Sequence, residues 1–290
     1  MIETLDIVSW AGPYDDNFRR RAAERLEAGA VLLFPSLGFP LDDTETALVR
    51  SAGSDGSAKN ISLDPATGQC KGSTISGTEL ATLTAMLDRF GKSARSLVEG
   101  LLPHYAAGLE RARTSFRPVE ISGRHSSWRQ DDKRLHVDAF PSRPMQGRRI
   151  LRVFANIDLD GTPRHWRIGP DFETYAARFL PSLPRAVPGK SWLLHRLGVT
   201  RARRSRYDEV MLFLHDAAKR DLGWQRDAPV QEVDFPPGCA WAVFTDQVAH
   251  AATAGRNALE QSFYVEPGAL ARPETAPLAV LKRMCGAAMV

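Results

Sequence analysis

The sequence is poor in cysteine, and its three cysteines lie far apart. Cys70, Cys239 and Cys285 form no CxxC pair, and their number is odd. This distribution argues against a disulfide scaffold and against a thiolate zinc site, and it fits a reducing compartment.

Long apolar runs are also missing from the sequence. No stretch approaches the roughly 18 to 20 continuous apolar residues of a membrane span. The first ten residues, MIETLDIVSW, lack the basic region and the apolar run of a signal peptide. We therefore expect an intracellular, soluble protein.

Neither sign of charge dominates the sequence, since 38 Lys and Arg face 34 Asp and Glu. The small basic excess is clustered, with arginines crowded over residues 143–152 and 196–206. Such clusters favour anionic partners such as phosphates, acidic sugars or anionic lipid, with a solvated arginine face as the alternative. Because no nucleic-acid motif is present, nucleic acid is not expected as a partner.

The first part of the chain predicts helices around one buried strand. Residues 15–29 have a capping aspartate and a terminal glycine, and the apolar run of residues 30–37 indicates the strand. Residues 51–73 are small, polar and rich in glycine, which predicts a loop. Apolar residues at helical spacing predict a helix over 78–113, broken or kinked at Pro103.

From residue 116 the pattern changes to short segments rich in β-branched and aromatic residues, separated by turn residues. A helical insertion over 170–222 interrupts this β region and aligns Tyr207, Met211, Leu214, Ala218 and Leu222 on one face. The short connections favour an antiparallel barrel or sandwich with outer helices, an α+β fold with a mainly β core. We expect one domain over 1–290: a helical part at 11–113, a barrel at 116–267 and a C-terminal helix at 276–290.

The segment RLHVDAF, residues 134–140, carries the chemistry. In a strand, residues two apart share a face, so His136 and Asp138 project together. A third ligand is predicted at His250, which follows a Pro-Pro-Gly turn and a strand at 239–245. Two histidines and one carboxylate cap one face of a cation and suit a non-haem Fe(II) centre that keeps its opposite positions open.

These residues resemble the Fe(II)/2-oxoglutarate-dependent dioxygenase superfamily. The closer resemblance is to the Kdo (3-deoxy-D-manno-oct-2-ulosonic acid) hydroxylase family. The segments that carry it are LHVDAFPSRPMQGRRILRVFANID, GTPRHWRIGPDFE and FTDQVAHAATAGRNALEQSFYV. The resemblance implies a double-stranded β-helix, the cupin-like jelly-roll barrel.

The resemblance also implies an activity: hydroxylation of the Kdo of Kdo-lipid A at C3, in lipopolysaccharide biosynthesis. Fe(II) would be the cofactor, 2-oxoglutarate and O2 the cosubstrates, and ascorbate a supporting reductant. The substrate is lipid-linked, so we expect a cytoplasmic location with peripheral contact at the inner face of the inner membrane. A related dioxygenase acting on another small anion, and a non-catalytic barrel that binds an acidic glycan or lipid, remain as alternatives.

The far carboxylate of 2-oxoglutarate needs a cationic anchor, and a bidentate guanidinium suits it best. Members of the superfamily often place this arginine ten or more residues after the distal histidine, which here falls near Gln261. Arg256, six residues after His250, is the first candidate and Arg152 the second. Asn156 is a further candidate for cosubstrate binding. Candidates for substrate binding are Arg148, Arg164, Trp166 and Arg204.

Overall fold

The structure is a computed structural model that describes residues 2–51, 60–286 and 288–290. Within these ranges the helices are α1 (Asp16–Glu27), α2 (Asp43–Ser51), α3 (Gly77–Leu101), α4 (Phe172–Phe179), α5 (Lys190–Arg196), α6 (Arg206–Arg220), α7 (Leu222–Asp227) and α8 (Pro277–Cys285). The strands are β1 (Ile2–Thr4), β2 (Val31–Phe34), β3 (Ile61–Leu63), β4 (Cys70–Lys71), β5 (Leu109–Arg117), β6 (Arg149–Asn156), β7 (Arg164–Ile168), β8 (Gln231–Phe235), β9 (Ala240–Phe244), β10 (His250–Ala254) and β11 (Ala258–Val265). None of the helices in these ranges has the length and apolar character needed to cross a membrane.

The strands form two sheets. The larger sheet has the order β1-β2-β9-β6-β11-β5-β3-β4, and the smaller has the order β10-β7-β8. Every pairing between the strands is antiparallel except that of β1 with β2. The predicted α+β class and the predominance of antiparallel pairs are therefore confirmed.

Aromatic side chains join the two sheets face to face. Phe154 of β6 meets Trp166 of β7 edge-on, with ring centroids 5.1 Å apart. Trp241 of β9 stacks on Phe235 of β8 at 4.1 Å. Because aromatic pairs contribute beyond their buried area, this cluster fixes the separation of the sheets on one side of the candidate site.

The outer face of the larger sheet is covered by α3, as the apolar spacing predicts. Along β6, Leu151, Val153 and Ala155 belong to the core that includes Phe90 of α3. The alternate residues of β6 point the other way, toward the smaller sheet, because successive side chains of a strand lie on opposite faces. Arg152 is one of these inward residues.

Three predicted elements differ from the structure. The helix predicted over 78–113 ends at Leu101, a 3-10 helix spans Pro103–Gly108, and residues from Leu109 onward form β5. Proline lacks the N–H that an α-helix needs, so it ends the helix here instead of only bending it. The segment 134–140 is not a regular strand, and it makes only one β-bridge, through His136. Of the predicted loop 51–73, residues 52–59 lie outside the described ranges, and β3 and β4 occupy part of the rest.

The helices of the predicted insertion pack behind the HxD segment. Tyr207, Met211, Leu214 and Ala218 of α6 are buried as predicted, in a core that includes Leu135 and Val137. The fifth residue of the predicted face, Leu222, is instead exposed at the start of α7, because α6 ends at Arg220. The same core receives Val280 and Leu281, so α8 docks on its own chain.

A buried ion pair holds the turn between β9 and β10. Arg149 Nε lies 2.7 Å from Asp246 Oδ2, and a second guanidinium nitrogen donates to Gln247 Oε1 at 2.7 Å. Burial raises the pKa of Asp246, and the neighbouring Arg149 opposes that rise. The turn leads directly into His250, so this pair supports the position of that residue.

We expect Arg149→Met to lower the free energy of unfolding by about 3–5 kcal/mol, because it leaves the Asp246 carboxylate buried without its cation. Urea unfolding followed by circular dichroism measures the change. Arg95→Met is the control, since Arg95 makes an exposed helical ion pair with Glu99 that contributes only about 0.3–0.5 kcal/mol. Equal losses in the two variants would contradict a special role for the buried pair.

Candidate metal centre

The structure brings His136, Asp138 and His250 together at the boundary of the two sheets. One ligand atom from each lies within 4.8 Å of the other two. His136 Nε2 is 3.6 Å from Asp138 Oδ1. His136 and His250 face each other across an antiparallel bridge, in which each backbone N–H donates to the other residue's carbonyl, at 3.1 and 2.9 Å. The predicted convergence of the three side chains is confirmed.

Hydrogen bonds fix which nitrogen of each imidazole is free. His136 Nδ1 donates to the carbonyl of Arg134 at 2.7 Å, and His250 Nδ1 donates to the carbonyl of Val248 at 2.8 Å. A carbonyl oxygen can only accept, so the proton is on Nδ1 and Nε2 keeps its lone pair. This second-sphere arrangement is typical of metal-binding histidines.

The protonation states also suit a metal. Burial lowers the pKa of His136 to about 3 and lowers the pKa of His250, so both rings are neutral. For Asp138, burial opposes ionisation, but the Arg152 guanidinium and the neighbouring His136 and His250 together outweigh burial and hold the pKa well below the usual range. Two neutral imidazoles and one carboxylate are the ligand set that a non-haem Fe(II) site requires, so the residues present fit that ion.

A buried chain of alternating charges continues from the carboxylate of the trio. Arg152 Nη2 lies 2.8 Å from Asp138 Oδ2, and Arg152 Nη1 lies 2.8 Å from Glu260 Oε1. Glu260 in turn accepts a hydrogen bond of 2.8 Å from Arg117 Nε. Because each charge has a partner of opposite sign, the chain can stay ionised away from water and hold Asp138 in one orientation.

The trio lines a cavity of about 420 Å³ between the sheets. The wall of this cavity is strongly cationic, and its arginines are Arg113, Arg117, Arg143, Arg152, Arg164 and Arg201. A cavity with this lining attracts anionic ligands through its field.

Arg164 differs from the other buried arginines of the cavity. Its guanidinium is buried, Nη1 donates to the carbonyl of Gly255 at 3.3 Å, and Nε has no hydrogen-bond partner among the described residues. No carboxylate in the described ranges lies within 4 Å of it, and burial lowers its pKa to about 9. Carboxylates act on this desolvated cation only from a distance, so its burial is costly, and a bound anion in direct contact would offset that cost.

Local backbone geometry holds Arg164 against the strand that carries His250. Gly255 follows that strand with a φ of +100°, and a Cβ there would lie 2.8 Å from Arg164 Cα. Only glycine suits this close approach at positive φ. Two residues after Arg164, on the same face of β7, Trp166 stacks on the His250 ring at 5.1 Å. Arg164 and the metal trio therefore open onto one cavity.

The other predicted site residues lie elsewhere. Arg256 pairs with Asp158 and Asp160 and does not line the cavity. The Asn156 amide donates to the carbonyls of Thr162 and Phe235 and ties a turn to β8.

The two remaining predicted arginines are outside the cavity as well. Arg148 pairs with Glu110. Arg204 donates to the carbonyl of Pro141 and lines a neighbouring cleft between the segment 179–190 and α6. Of the seven residues predicted for cosubstrate and substrate, the cavity thus contains Arg152, Arg164 and Trp166.

Several residues of the cavity carry no site role predicted from the sequence. On β5 they are Arg113, Ser115 and Arg117, and on β11 they are Glu260, Ser262 and Tyr264. Each set is spaced two apart, so the polar alternation of the two strands was a usable signal. The alternation alone does not show which face of each strand lines the cavity. That follows from the pairing of β5 with β11.

Two packed sheets, a buried trio of two histidines and one carboxylate, and a cationic cavity define a non-haem iron oxygenase type of site. The sequence profile of 3-deoxy-D-manno-oct-2-ulosonic acid (Kdo) hydroxylase matches residues 9–288. The chain therefore belongs to the Kdo hydroxylase family.

Solved structures agree with this assignment. The chain is similar to the Kdo hydroxylase KdoO, described as a non-haem Fe(II) α-ketoglutarate-dependent dioxygenase, in complex with α-ketoglutarate and Fe(III). The two share 44% identity over 100% of this chain and 97% of the other, with a TM-score of 0.95. The complex of KdoO with succinate and Fe(III) gives 45% identity with the same coverage and TM-score. No curated protein matches the chain.

We expect Glu260→Gln to weaken Co(II) binding by roughly 10-fold or more, the size typical of second-sphere changes. The substitution removes a negative charge near the metal and releases Arg152, so both effects act in the same direction. The visible absorption of Co(II) measures affinity without any turnover. Glu110→Gln is the control, because it neutralises an exposed carboxylate on neighbouring β5. An unchanged Co(II) affinity in Glu260→Gln would rule out the positioning role of Glu260.

Proposed function

We propose that this protein is an Fe(II)/2-oxoglutarate-dependent hydroxylase that acts on Kdo. The observation that carries the proposal is the buried trio of His136, Asp138 and His250 at the cavity, in a chain that belongs to the Kdo hydroxylase family. KdoO, at 44% identity, is described with the same iron and cosubstrate. More specifically, we propose that the enzyme hydroxylates C3 of the Kdo sugar in Kdo-lipid A.

His136, Asp138 and His250 would hold the iron through two Nε2 atoms and one carboxylate oxygen. When bound, iron with 2-oxoglutarate and O2 supplies the oxidising power for insertion of oxygen into a C–H bond, with ascorbate as a supporting reductant. The protein's own contribution is orientation and exclusion of water. Trp166 and Phe154 cover one side of the cavity and make it apolar there, which limits water near the metal.

We propose Arg164 as the anchor for the far carboxylate of 2-oxoglutarate. Arg152 is already engaged on two sides by Asp138 and Glu260, and Arg256 is engaged by Asp158 and Asp160. Arg164 has donors to spare in a desolvated position, where a charge-assisted hydrogen bond is strongest.

The mouth of the cavity suits an acidic sugar. Arg113, Arg143 and Arg201 line it, and no carboxylate of the described residues lies within 4 Å of any of the three. Cations without an acidic partner at a rim attract and orient an anion such as the Kdo carboxylate. We propose that these three arginines, with Arg164 deeper inside, set the preference for an anionic substrate.

We infer that the two facing sheets form a double-stranded β-helix, the jelly-roll barrel, within one domain. Kdo-lipid A is an amphiphile made at a membrane, so we place the enzyme in the cytoplasm, in peripheral contact with the inner face of the inner membrane.

We expect purified protein supplied with Fe(II), 2-oxoglutarate, O2 and Kdo-lipid A to release succinate together with a product heavier by one oxygen atom. Asp138→Ala should abolish both, because it removes a metal ligand. Coupled succinate and mass-spectrometric assays measure this, with Glu110→Gln as the active control. Succinate release no higher than without substrate would count against Kdo, and coupled turnover of another sugar acid would favour the related dioxygenase.

We expect Arg164→Met to raise the apparent Kd for 2-oxoglutarate by roughly 10- to 100-fold, because a charge-assisted hydrogen bond is worth about 1.5–3 kcal/mol. Calorimetric titration of the Co(II)-loaded protein measures it. Folding should be retained, since Arg164 makes no direct ion pair whose loss would leave a buried carboxylate without its partner. Arg256→Met is the matched variant, and a larger loss there would return the anchor to Arg256.

A further inference from the structure

Exposed apolar side chains are concentrated in one segment of the insertion. Nine large apolar residues of the described chain are exposed, and five of them fall between residues 187 and 199. These five are Val187, Trp192, Leu193, Leu197 and Val199, each at least half exposed. The other four are scattered over the chain, so this patch is the unusual one, and exposed apolar patches mark interaction sites.

The patch lies on an ordered surface. Trp192, Leu193 and Arg196 are exposed together on α5, while Ser191 and Leu194 on the opposite side are half-buried. Ser191 Oγ donates to the carbonyl of Arg204 at 2.7 Å, and Arg201 N donates to the carbonyl of Ser142 at 2.9 Å. The segment is thereby held against the body of the protein with its apolar side outward.

Basic residues surround the patch without any acidic residue among them. Residues 185–206 contain seven Lys and Arg and no Asp or Glu. We call this range the basic ledge. The seven residues are Arg185, Lys190, Arg196, Arg201, Arg203, Arg204 and Arg206. An amphipathic surface with tryptophan and leucine at its centre and cations at its rim is the pattern of segments that lie in the headgroup layer of an anionic bilayer.

The basic ledge adjoins the mouth of the cavity. Arg201 belongs to the ledge and also lines the cavity, next to Ser142 and Arg143. A bilayer that touches the ledge would therefore hold a membrane-anchored sugar within reach of the cavity. The charge of one sign also favours a bilayer over a folded protein partner, whose surface would usually present both signs.

We propose that the basic ledge docks on an anionic bilayer surface, with Trp192, Leu193 and Leu197 entering the headgroup layer. The relevance of docking to turnover rests on the proposed function, because only a lipid-linked substrate requires it. The docking itself rests on the apolar patch and its basic rim, and it can be measured without substrate.

The test uses sedimentation of the full-length protein with vesicles. The parent should bind vesicles of phosphatidylglycerol and phosphatidylethanolamine, lose binding as salt rises, and bind vesicles of phosphatidylcholine weakly. The variant W192S/L193S/L197S should bind the anionic vesicles at least 10-fold more weakly. The control V8S/V119S/L222S removes exposed apolar residues elsewhere and should bind as the parent does.

Three results would overturn the proposal: a parent that does not bind anionic vesicles, a ledge variant that binds as the parent does, or a ledge variant that turns a dimer into a monomer in size-exclusion chromatography. The last would assign the patch to self-association. Activity on a water-soluble Kdo glycoside separates the two proposals, because the ledge variant should keep it while losing activity on Kdo-lipid A in vesicles. Vesicle binding by a protein without hydroxylase activity would leave the docking surface standing and would count against the proposed function.

Discussion

The backbone bridge between His136 and His250 is the interaction on which the candidate site depends. Its two hydrogen bonds place one ligand of the HxD segment directly opposite the ligand that begins β10. A further bond from Asp138 N to the carbonyl of Thr245 fixes the carboxylate relative to the same turn. All three ligands are therefore positioned by backbone contacts between two segments more than a hundred residues apart. The arrangement of the three side chains that would hold the metal therefore follows from chain pairing.

The electrostatics of the cavity follow from which charges have partners. Asp138, Arg152, Glu260 and Arg117 alternate in sign and largely cancel. Arg164 and the arginines of the mouth are left over, and a bound dication would add to their positive field. A site of this kind favours anions in two places, one deep beside the metal and one at the opening, which matches a dicarboxylate cosubstrate and an acidic sugar.

The sequence was sufficient for the metal trio and insufficient for most of its surroundings. Residues two apart must share a face in extended chain, so His136 and Asp138 could be paired without a structure. His250 was found because a turn and a strand precede it, which returns the chain toward its neighbour. The helix predicted through residue 113 failed because local apolar spacing cannot show that Leu109 and the residues after it pair with β11. Tertiary pairing overrode the helical pattern there.

The arginines show the limit of sequence reasoning most clearly. Arg256 was favoured because it is near His250 along the chain, yet the residue following a strand can turn away, and acidic partners at Asp158 and Asp160 engage it. Arg152 and Arg164 both face the cavity, and only their neighbours distinguish them. A buried arginine within a closed charge chain is satisfied by the protein itself. A buried arginine without a direct acidic partner lowers the stability of the fold. Proteins retain such residues mainly where a bound ligand offsets the loss.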